Sequence, residues 1–141
     1  MKEYNTIVLH CSATPPSMDI GKIVIDKWHR ARGWSQIGYH YVIRRCGKIE
    51  QARPVYIHGA HTKGHNRNTI GVCYIGGVDE NNKPENNITG EQKQSFKRLT
   101  EALRLTFGTL NIKGHRDFKG VKKSCPSFDV CEVFGYDFCN E

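Results

Sequence analysis

Short runs of β-branched and other apolar residues alternate along the chain with segments whose apolar residues recur every three or four positions. The first pattern predicts β-strands and the second predicts amphipathic helices. The predicted strands cover residues 4–9, 39–44, a short stretch around Ile49, 70–75 and 110–112. Because strands and helices intermix, the expected fold class is α/β, with a central mixed sheet flanked by helices.

Two helices have recognisable ends. Asp19 is expected to cap the first, which ends near Gly33 and has its apolar positions at Ile20, Ile23, Val24 and Trp28. The second begins at the capping box Thr89-Gly90-Glu91-Gln92, ends at Gly108 and has its apolar stripe at Phe96, Leu99, Leu103 and Phe107. Residues 79–87 are polar and predict a surface loop, and a last helix is expected somewhere after Pro126.

The length and composition are those of one ordinary globular domain, which we expect to cover residues 1–141. No apolar run is long enough to cross a bilayer, so membrane insertion is not expected. The first apolar stretch is too short for a signal peptide and no cleavage site follows it, which indicates a protein made and folded in the cytoplasm.

The net charge of +7 favours acidic partners, such as an anionic envelope, a carboxylate-bearing substrate or nucleic acid. The basic residues are scattered, however, and the densest runs are the dipeptides Arg44-Arg45 and Lys122-Lys123. No nucleic-acid-binding motif or basic stripe interleaved with aromatic residues is present, so we expect no nucleic-acid partner.

The six cysteines include no CxxC pair, which argues against a zinc ribbon and against a thioredoxin-like redox site. Without an export signal, reduced thiols are the default expectation. Cys11 and Cys73 lie within predicted strands and are expected in the core, whereas the pattern assigns no role to Cys46, Cys131 or Cys139.

Three potential metal ligands lie close to predicted strand ends. His10 ends the first strand, His115 follows the last strand, and Cys125 lies in a loop ten residues further along. A catalytic zinc site typically uses three protein ligands of these types. Cys11 is an alternative ligand, but strand alternation turns it to the face opposite His10. We expect His40 in the core or behind the metal ligands, and the remaining candidates as surface or packing residues (His29, His58, His65).

An ordered set of motifs resembles the zinc-dependent N-acetylmuramoyl-L-alanine amidases, the superfamily that includes T7 lysozyme and the peptidoglycan recognition proteins. The matching segments cover most of the chain, from about residue 6 to residue 130. In order they are IVLHCSAT (7–14), WH (28–29), GW (33–34), IGYHYVI (37–43), GAHTKG (59–64), NTIGVC (68–73), GG (76–77), GH (114–115) and KSCPSFD (123–129).

The resemblance implies that His10, His115 and Cys125 bind Zn²⁺, and that Tyr39 and Lys123 occupy the family's other catalytic positions. It places His61 near the substrate groove. Zinc in such a site polarises a carbonyl group and lowers the pKa of bound water. Lys123 is then expected to stabilise the oxyanion that forms on the carbonyl, and Tyr39 to orient water or bind the intermediate.

The implied function is hydrolysis of the amide bond between N-acetylmuramic acid and L-alanine in peptidoglycan or muropeptides, by a monomeric enzyme. Cleavage of a different stem-peptide bond, a module that binds peptidoglycan without cutting it, and a basic nucleic-acid binder are the alternatives. Non-catalytic members of the superfamily typically lack the cysteine ligand, so the presence of Cys125 favours an enzyme. The implied place of action is the cell wall after release, as for an endolysin, or intracellular muropeptides.

Overall fold

The computed structural model describes residues 3–140, and its five strands form one mixed sheet. The strands are β1 (Thr6–Cys11), β2 (Tyr41–Ile43), β3 (Ile49–Gln51), β4 (Thr69–Tyr74) and β5 (Asn111–Gly114). Their order across the sheet is β3-β2-β4-β1-β5, and every neighbouring pair is parallel except β2 with β3. The predicted α/β fold with a central mixed sheet is therefore confirmed.

The sheet positions the end of β1 beside the end of β5. All six residues of β1 are buried, since the strand lies between β4 and β5 with packed layers on both faces. Leu9 is the register partner of Gly114, so His10 and His115 follow side by side at the carboxyl edge of the sheet. Parallel neighbours bring their carboxyl ends to one edge, which is where α/β proteins commonly build sites.

Within the described residues four α-helices complete the fold, α1 (Lys22–Ala31), α2 (Gly90–Phe107), α3 (Val130–Phe134) and α4 (Tyr136–Cys139), and a single 3₁₀ turn covers His115–Asp117. The larger core lies between α2, the C-terminal helices and the sheet face that carries Ile7 and Leu9. The opposite face, which carries Val42 and Cys73, packs a smaller cluster against Ile25 of α1.

The capping box predicted for α2 is present. The amide of Gln92 donates to the Thr89 hydroxyl at 3.0 Å, and the amide of Thr89 donates to the Gln92 side chain at 2.9 Å. These two bonds satisfy amides that a helix start leaves without partners. The side-chain amide of Gln92 also donates to the carbonyl oxygens of Ile43 and Ile75, which ties the helix to the sheet.

The predicted cap of α1 is wrong. Gly21, not Asp19, occupies the N-cap position, and it has no side chain to offer. The carboxylate of Glu50, which comes from β3, instead accepts the amide of Lys22 at 2.8 Å. Asp19 lies 3.5 Å from Arg44 in an ion pair. A residue distant in sequence thus caps the helix, and the local sequence pattern could not predict this contact.

The expectation of reduced thiols fails for two of the six cysteines. Cys131 of α3 and Cys139 of α4 form a disulfide that joins the two short C-terminal helices, with Cα atoms 5.9 Å apart. The other four cysteines, Cys11, Cys46, Cys73 and Cys125, are free thiols. Cys11 and Cys73 are buried, as predicted. Among residues 3–140 no helix is both long and apolar enough to cross a membrane.

Candidate metal and catalytic site

Three donor side chains converge at the carboxyl edge of the sheet. The ligand atoms of His10, His115 and Cys125 all lie within 4.8 Å of one another, and within residues 3–140 they are the one group of histidine, cysteine or acidic side chains so arranged. The β1–β5 register supplies the two histidines. The loop that carries Cys125 is held by two hydrogen bonds, from the Arg116 amide to the Cys125 carbonyl (2.9 Å) and from the Tyr74 hydroxyl to the Pro126 carbonyl (2.6 Å).

The donor set fits a zinc ion. Zinc prefers imidazole nitrogen and thiolate sulfur in tetrahedral geometry, and usual bond lengths would place such a nitrogen and sulfur about 3.5 Å apart. Cys125 Sγ lies 3.9 Å from His10 Nδ1, and the ring centroids of His10 and His115 lie 4.5 Å apart. Only small side-chain movements separate this arrangement from a closed coordination shell.

Hydrogen bonds behind His10 determine which of its nitrogens faces the cluster. The Thr69 hydroxyl donates to the His65 carbonyl at 2.6 Å, so its oxygen must accept from His61 Nε2, 3.3 Å away. His61 Nδ1 therefore accepts a hydrogen bond from His10 Nε2 at 2.9 Å. The Thr62 hydroxyl lies 3.3 Å from His10 Nε2 and 3.1 Å from His61 Nδ1. This arrangement leaves the Nδ1 lone pair of His10 free to bind a metal.

A backbone amide supports the sulfur ligand. The Cys11 amide donates to Cys125 Sγ at 3.1 Å. The Cys11 side chain belongs to the core cluster on the α2 face, and its sulfur lies 3.9 Å from the Ser127 hydroxyl. Alternation along β1 thus turns the Cys11 side chain to the face opposite His10, as predicted, although both its backbone amide and its thiol still contact Cys125.

The surroundings keep both imidazoles neutral, which is the form that binds metal. Burial is the main cause that lowers the pKa of His10 well below 6.5, and His61, His115 and Lys123 lower it further. Burial and then the charge of Lys123 lower the pKa of His115. Burial also lowers the pKa of His61 to about 3, with a further contribution from His40. A hydrogen bond with the Cys11 thiol, then burial, raises the pKa of Cys125, so metal binding there must release a proton.

The two predicted catalytic residues that are not ligands border the cluster. The half-buried Tyr39 lies just before β2, not within a strand as predicted, and its ring centroid is 5.0 Å from that of His10. Burial, followed by the neighbouring thiols, raises its pKa well above 10, so the hydroxyl is protonated and can donate. Lys123 is exposed, and its charge reaches both histidines of the cluster.

His61 lies behind the cluster, where it is buried against His10. Its ring covers Gly71 of β4, where an added Cβ would lie 2.5 Å from the ring. The expected contact with substrate is not tested by this placement and stays a prediction. The sequence reasoning missed the two threonines that complete the hydrogen-bonded chain, Thr62 and Thr69, although both belong to motif segments.

Two other buried histidines, His40 and His29, form hydrogen bonds with backbone groups and lie outside the cluster. His40 is buried, its Nε2 lies 2.9 Å from the Ile57 carbonyl, and its Nδ1 accepts the Gly71 amide at 3.1 Å. This placement confirms His40 as a core residue. His29 is buried too, and its Nδ1 accepts the Gly38 amide at 2.9 Å.

The sequence is similar to phage lytic enzymes. The endolysin of Enterobacteria phage T3 is 41% identical over 124 residues, which cover 88% of this chain and 81% of that protein. The endolysin of Escherichia phage T7 is 40% identical over 126 residues, which cover 89% of this chain and 82% of that protein.

The fold is similar to that of solved amidases. The N-acetylmuramoyl-L-alanine amidase LysC from Clostridium intestinale superposes with a TM-score of 0.83 at 28% identity, over 99% of this chain and 88% of that one. Drosophila PGRP-LB shares the fold, with a TM-score of 0.80 at 19% identity over 98% of this chain and 84% of that one.

The family defined as N-acetylmuramoyl-L-alanine amidase matches residues 1–128, a span that includes β1 to β5 and every residue of the candidate site. The relatives are about 40% identical over most of their length. The chain therefore belongs to the N-acetylmuramoyl-L-alanine amidase family and is an enzyme that cleaves the amide bond between N-acetylmuramic acid and L-alanine of peptidoglycan.

Proposed function

We propose that this amidase depends on zinc held by His10, His115 and Cys125. The convergence of their three donor atoms within 4.8 Å carries the proposal. A zinc ion bound there would polarise the amide carbonyl and make a water molecule nucleophilic at neutral pH. The carbonyl carbon that reacts is the one that joins the lactyl group of N-acetylmuramic acid to L-alanine.

His61 acts, in this proposal, as a positioning residue for His10. It accepts a hydrogen bond from His10 Nε2, and its own Nε2 donates a hydrogen bond to the Thr69 hydroxyl. The His10 ring is therefore held in one orientation and one tautomer before any metal binds. Hydrogen bonds that hold a metal ligand from behind commonly contribute about 10- to 100-fold to metal affinity.

Tyr39 and Lys123 act on the substrate. The Tyr39 ring lies beside His10, and its protonated hydroxyl can donate a hydrogen bond to the attacking water or to the tetrahedral intermediate. Lys123 carries a fixed positive charge at the edge of the cluster, where it stabilises the negative charge that develops on the carbonyl oxygen. Neither role requires the residue to be a metal ligand.

The biological setting we propose is lysis of the bacterial cell wall after release from the cell in which the protein is made. The similar phage proteins are endolysins, which supports this setting. The protein acts as a single-domain monomer of residues 1–141, without membrane insertion or a nucleic-acid partner. Its positive net charge of +7 attracts it to an anionic wall.

The test is digestion of purified peptidoglycan by wild type and Cys125→Ser, each with and without a chelator. Wild type is expected to release L-alanine amino termini without new reducing sugars, and the chelated and Cys125→Ser proteins to release almost none. Cys46→Ser is the matched control, since Cys46 is a free but exposed thiol outside the cluster. Release at the wild-type rate by Cys125→Ser or by chelated protein contradicts the proposal.

A further inference from the structure

Tyr39 lies on a segment that is neither helix nor strand, which we call the Tyr39 segment (residues 37–39). Backbone groups in such a segment lack the partners that a helix or a sheet would supply, and loops are usually more mobile than the elements they connect. A side chain that acts on a reacting bond must nevertheless be held closely, because a displacement of about 1 Å can lower the rate by on the order of 100-fold. The contacts that hold the Tyr39 segment therefore matter for the reaction.

Helix α1 offers two acceptors to the Tyr39 segment. Asp26 Oδ1 accepts the amide of Ile37 at 2.8 Å, and His29 Nδ1 accepts the amide of Gly38 at 2.9 Å. Asp26 and His29 are three residues apart and so lie on one face of the helix. Two successive amides of the segment are therefore bound by two side chains of one regular element, which holds a site more precisely than a loop does.

The carbonyl groups of the Tyr39 segment are bound by the part of the chain that follows β3. Arg53 Nη1 donates to the Ile37 carbonyl at 3.2 Å, and the Arg53 amide donates to the Tyr39 carbonyl at 3.0 Å. The amide of Ala60 donates to the Gly38 carbonyl at 3.0 Å, and a Cβ added at position 38 would collide with the Ala60 carbonyl oxygen. Together with the two bonds from α1, these contacts fix the backbone at each residue of the segment.

The position of the Tyr39 ring depends on this backbone. The ring centroid lies 5.5 Å from that of His29 and 5.0 Å from that of His10, so the phenol ring contacts one imidazole of α1 and one of the cluster. The Tyr39 hydroxyl contacts the thiol of the buried Cys73. A shift of the backbone at residues 37 and 38 would move the ring and its hydroxyl away from these neighbours.

Asp26 has a second contact, which can be removed separately. Its Oδ2 accepts the Arg30 Nε at 2.7 Å, in an ion pair between residues four apart on α1 whose arginine is exposed. Such surface pairs contribute little to stability. Because the two carboxylate oxygens have different partners, a substitution at Arg30 removes the ion pair and leaves the bond to the Ile37 amide in place.

We propose that Asp26 and His29 are positioning residues of the amidase, because α1 holds the amides of the Tyr39 segment so that the Tyr39 hydroxyl lies where the reaction at the cluster needs it. The inference rests on the proposed function, which gives Tyr39 its role, and adds the part of the fold that places this group. Asp26 and His29 act through Tyr39 and need no contact with the substrate.

The first test measures kcat, KM and zinc content on a soluble muropeptide. Asp26→Ala is expected to lower kcat by about tenfold or more through misplacement of Tyr39, with KM and zinc content close to those of wild type. Asp26→Asn keeps an oxygen for the Ile37 amide and Arg30→Gln removes only the ion pair, so both are expected to stay close to the wild-type kcat. Equal losses in Asp26→Ala and Arg30→Gln, or a normal kcat of Asp26→Ala, overturn the proposal.

The same comparison applies to His29. His29→Leu removes the acceptor of the Gly38 amide, whereas His29→Asn removes the ring but keeps an acceptor. His29→Asn is expected to have the higher kcat when both variants are assayed below their melting temperatures. Equal kcat values for the two variants overturn the role of the His29 acceptor.

The second test asks whether Asp26 acts through the Tyr39 hydroxyl. In a Tyr39→Phe background, Asp26→Ala is expected to cause little further loss of kcat, because the effects of residues that act through one group are not additive. The same fractional loss in both backgrounds overturns the proposal and leaves the role of Tyr39 standing.

A measurement on the zinc-free protein separates this proposal from the proposed function. The nuclear Overhauser effect between the Tyr39 and His10 rings reports their contact without any catalysis. It is expected in wild type and in Arg30→Gln, and it is expected to weaken in Asp26→Ala. An unchanged effect in Asp26→Ala overturns the positioning role, whether or not the enzyme depends on zinc. A normal kcat of Tyr39→Phe contradicts the proposed function of Tyr39 instead, and the ring contact still decides whether α1 places it.

Discussion

His10 Nε2 lies 2.9 Å from His61 Nδ1, and both rings are buried at the carboxyl edge of the sheet. The second nitrogen of His61 lies 3.3 Å from the Thr69 hydroxyl, which in turn donates to a backbone carbonyl. Because Thr69 donates to that carbonyl, the hydrogen bonds run from His10 Nε2 to His61 and from His61 Nε2 to Thr69. The consequence is that His10 presents Nδ1, and not Nε2, toward His115 and Cys125.

Replacement of His61 tests this consequence. His61→Leu is expected to weaken zinc binding by about 10- to 100-fold, because the His10 ring loses the acceptor that orients it. His61→Asn keeps an acceptor oxygen close to the position of Nδ1 and is expected to retain more of the affinity. The measurement is competition for zinc against a chromophoric chelator. Wild-type zinc affinity of His61→Leu, together with a raised KM for muropeptides, contradicts the positioning role and supports substrate contact.

Lys123→Ala is expected to lower kcat by roughly 100-fold or more, the usual effect of the loss of one group that stabilises an oxyanion. Zinc affinity is expected to change little, since Lys123 is not a ligand. Lys122→Ala is the control, because it removes an equally exposed neighbouring charge. Steady-state kinetics on a soluble muropeptide, with zinc content measured in the same samples, checks this. A Lys123→Ala enzyme with normal kcat rules out the assigned role.

Tyr39→Phe removes one hydroxyl and keeps the ring that lies against His10. The expected result is a fall in kcat of about 10- to 100-fold, the range for a lost hydrogen bond to a charged group, with an unchanged melting temperature. Tyr41→Phe serves as the comparison, since Tyr41 is also half-buried but lies in β2. Equal activity of the two variants contradicts a catalytic role for Tyr39.

The free energy of unfolding is expected to depend on pH through His29. Burial lowers its pKa below 6.5, and its Nδ1 accepts the Gly38 amide, so the folded protein holds this ring neutral. Below pH 6.5 the unfolded chain binds a proton at His29 that the folded chain does not, so the free energy of unfolding falls as the pH is lowered from 6.5 toward the folded-state pKa. The full contribution of His29 is present above pH 6.5.

The matched variant is His29→Asn, which keeps an acceptor for the Gly38 amide but cannot titrate. Urea unfolding in the presence of a chelator, between pH 7 and pH 5, measures the difference. Wild type is expected to lose stability more steeply than the variant, by at most about 1.4 kcal/mol per pH unit. Parallel curves for the two proteins show that His29 does not carry this dependence.

The sheet and the long helix were predictable because their signals are local. Apolar runs indicated the strands to within about two residues, and the Thr89–Gln92 capping box marked the start of α2. The start of α1 was not predictable, because its cap comes from Glu50 on another strand. The Cys131–Cys139 disulfide was not predicted either, because the sequence pattern did not define the two short helices that bring these cysteines together.

The candidate site was predictable only in part. Strand ends suggested that His10 and His115 could meet, but the β1–β5 register that brings them together depends on long-range pairing. The family resemblance selected Cys125 as the third member of the cluster. Nothing in the pattern indicated that Thr69 and the Cys11 amide support the ligands, because those bonds join residues that the fold alone brings close.

The central claim is that zinc is held by two imidazoles and one thiolate. X-ray absorption at the zinc edge of the loaded protein tests it most directly, because it counts the sulfur and nitrogen neighbours of the metal. The account predicts one sulfur at about 2.3 Å and two imidazole nitrogens at about 2.0 Å, with the sulfur lost in Cys125→Ser. Two sulfur neighbours, or a sulfur that persists in Cys125→Ser, would assign a ligand role to Cys11 and contradict the account.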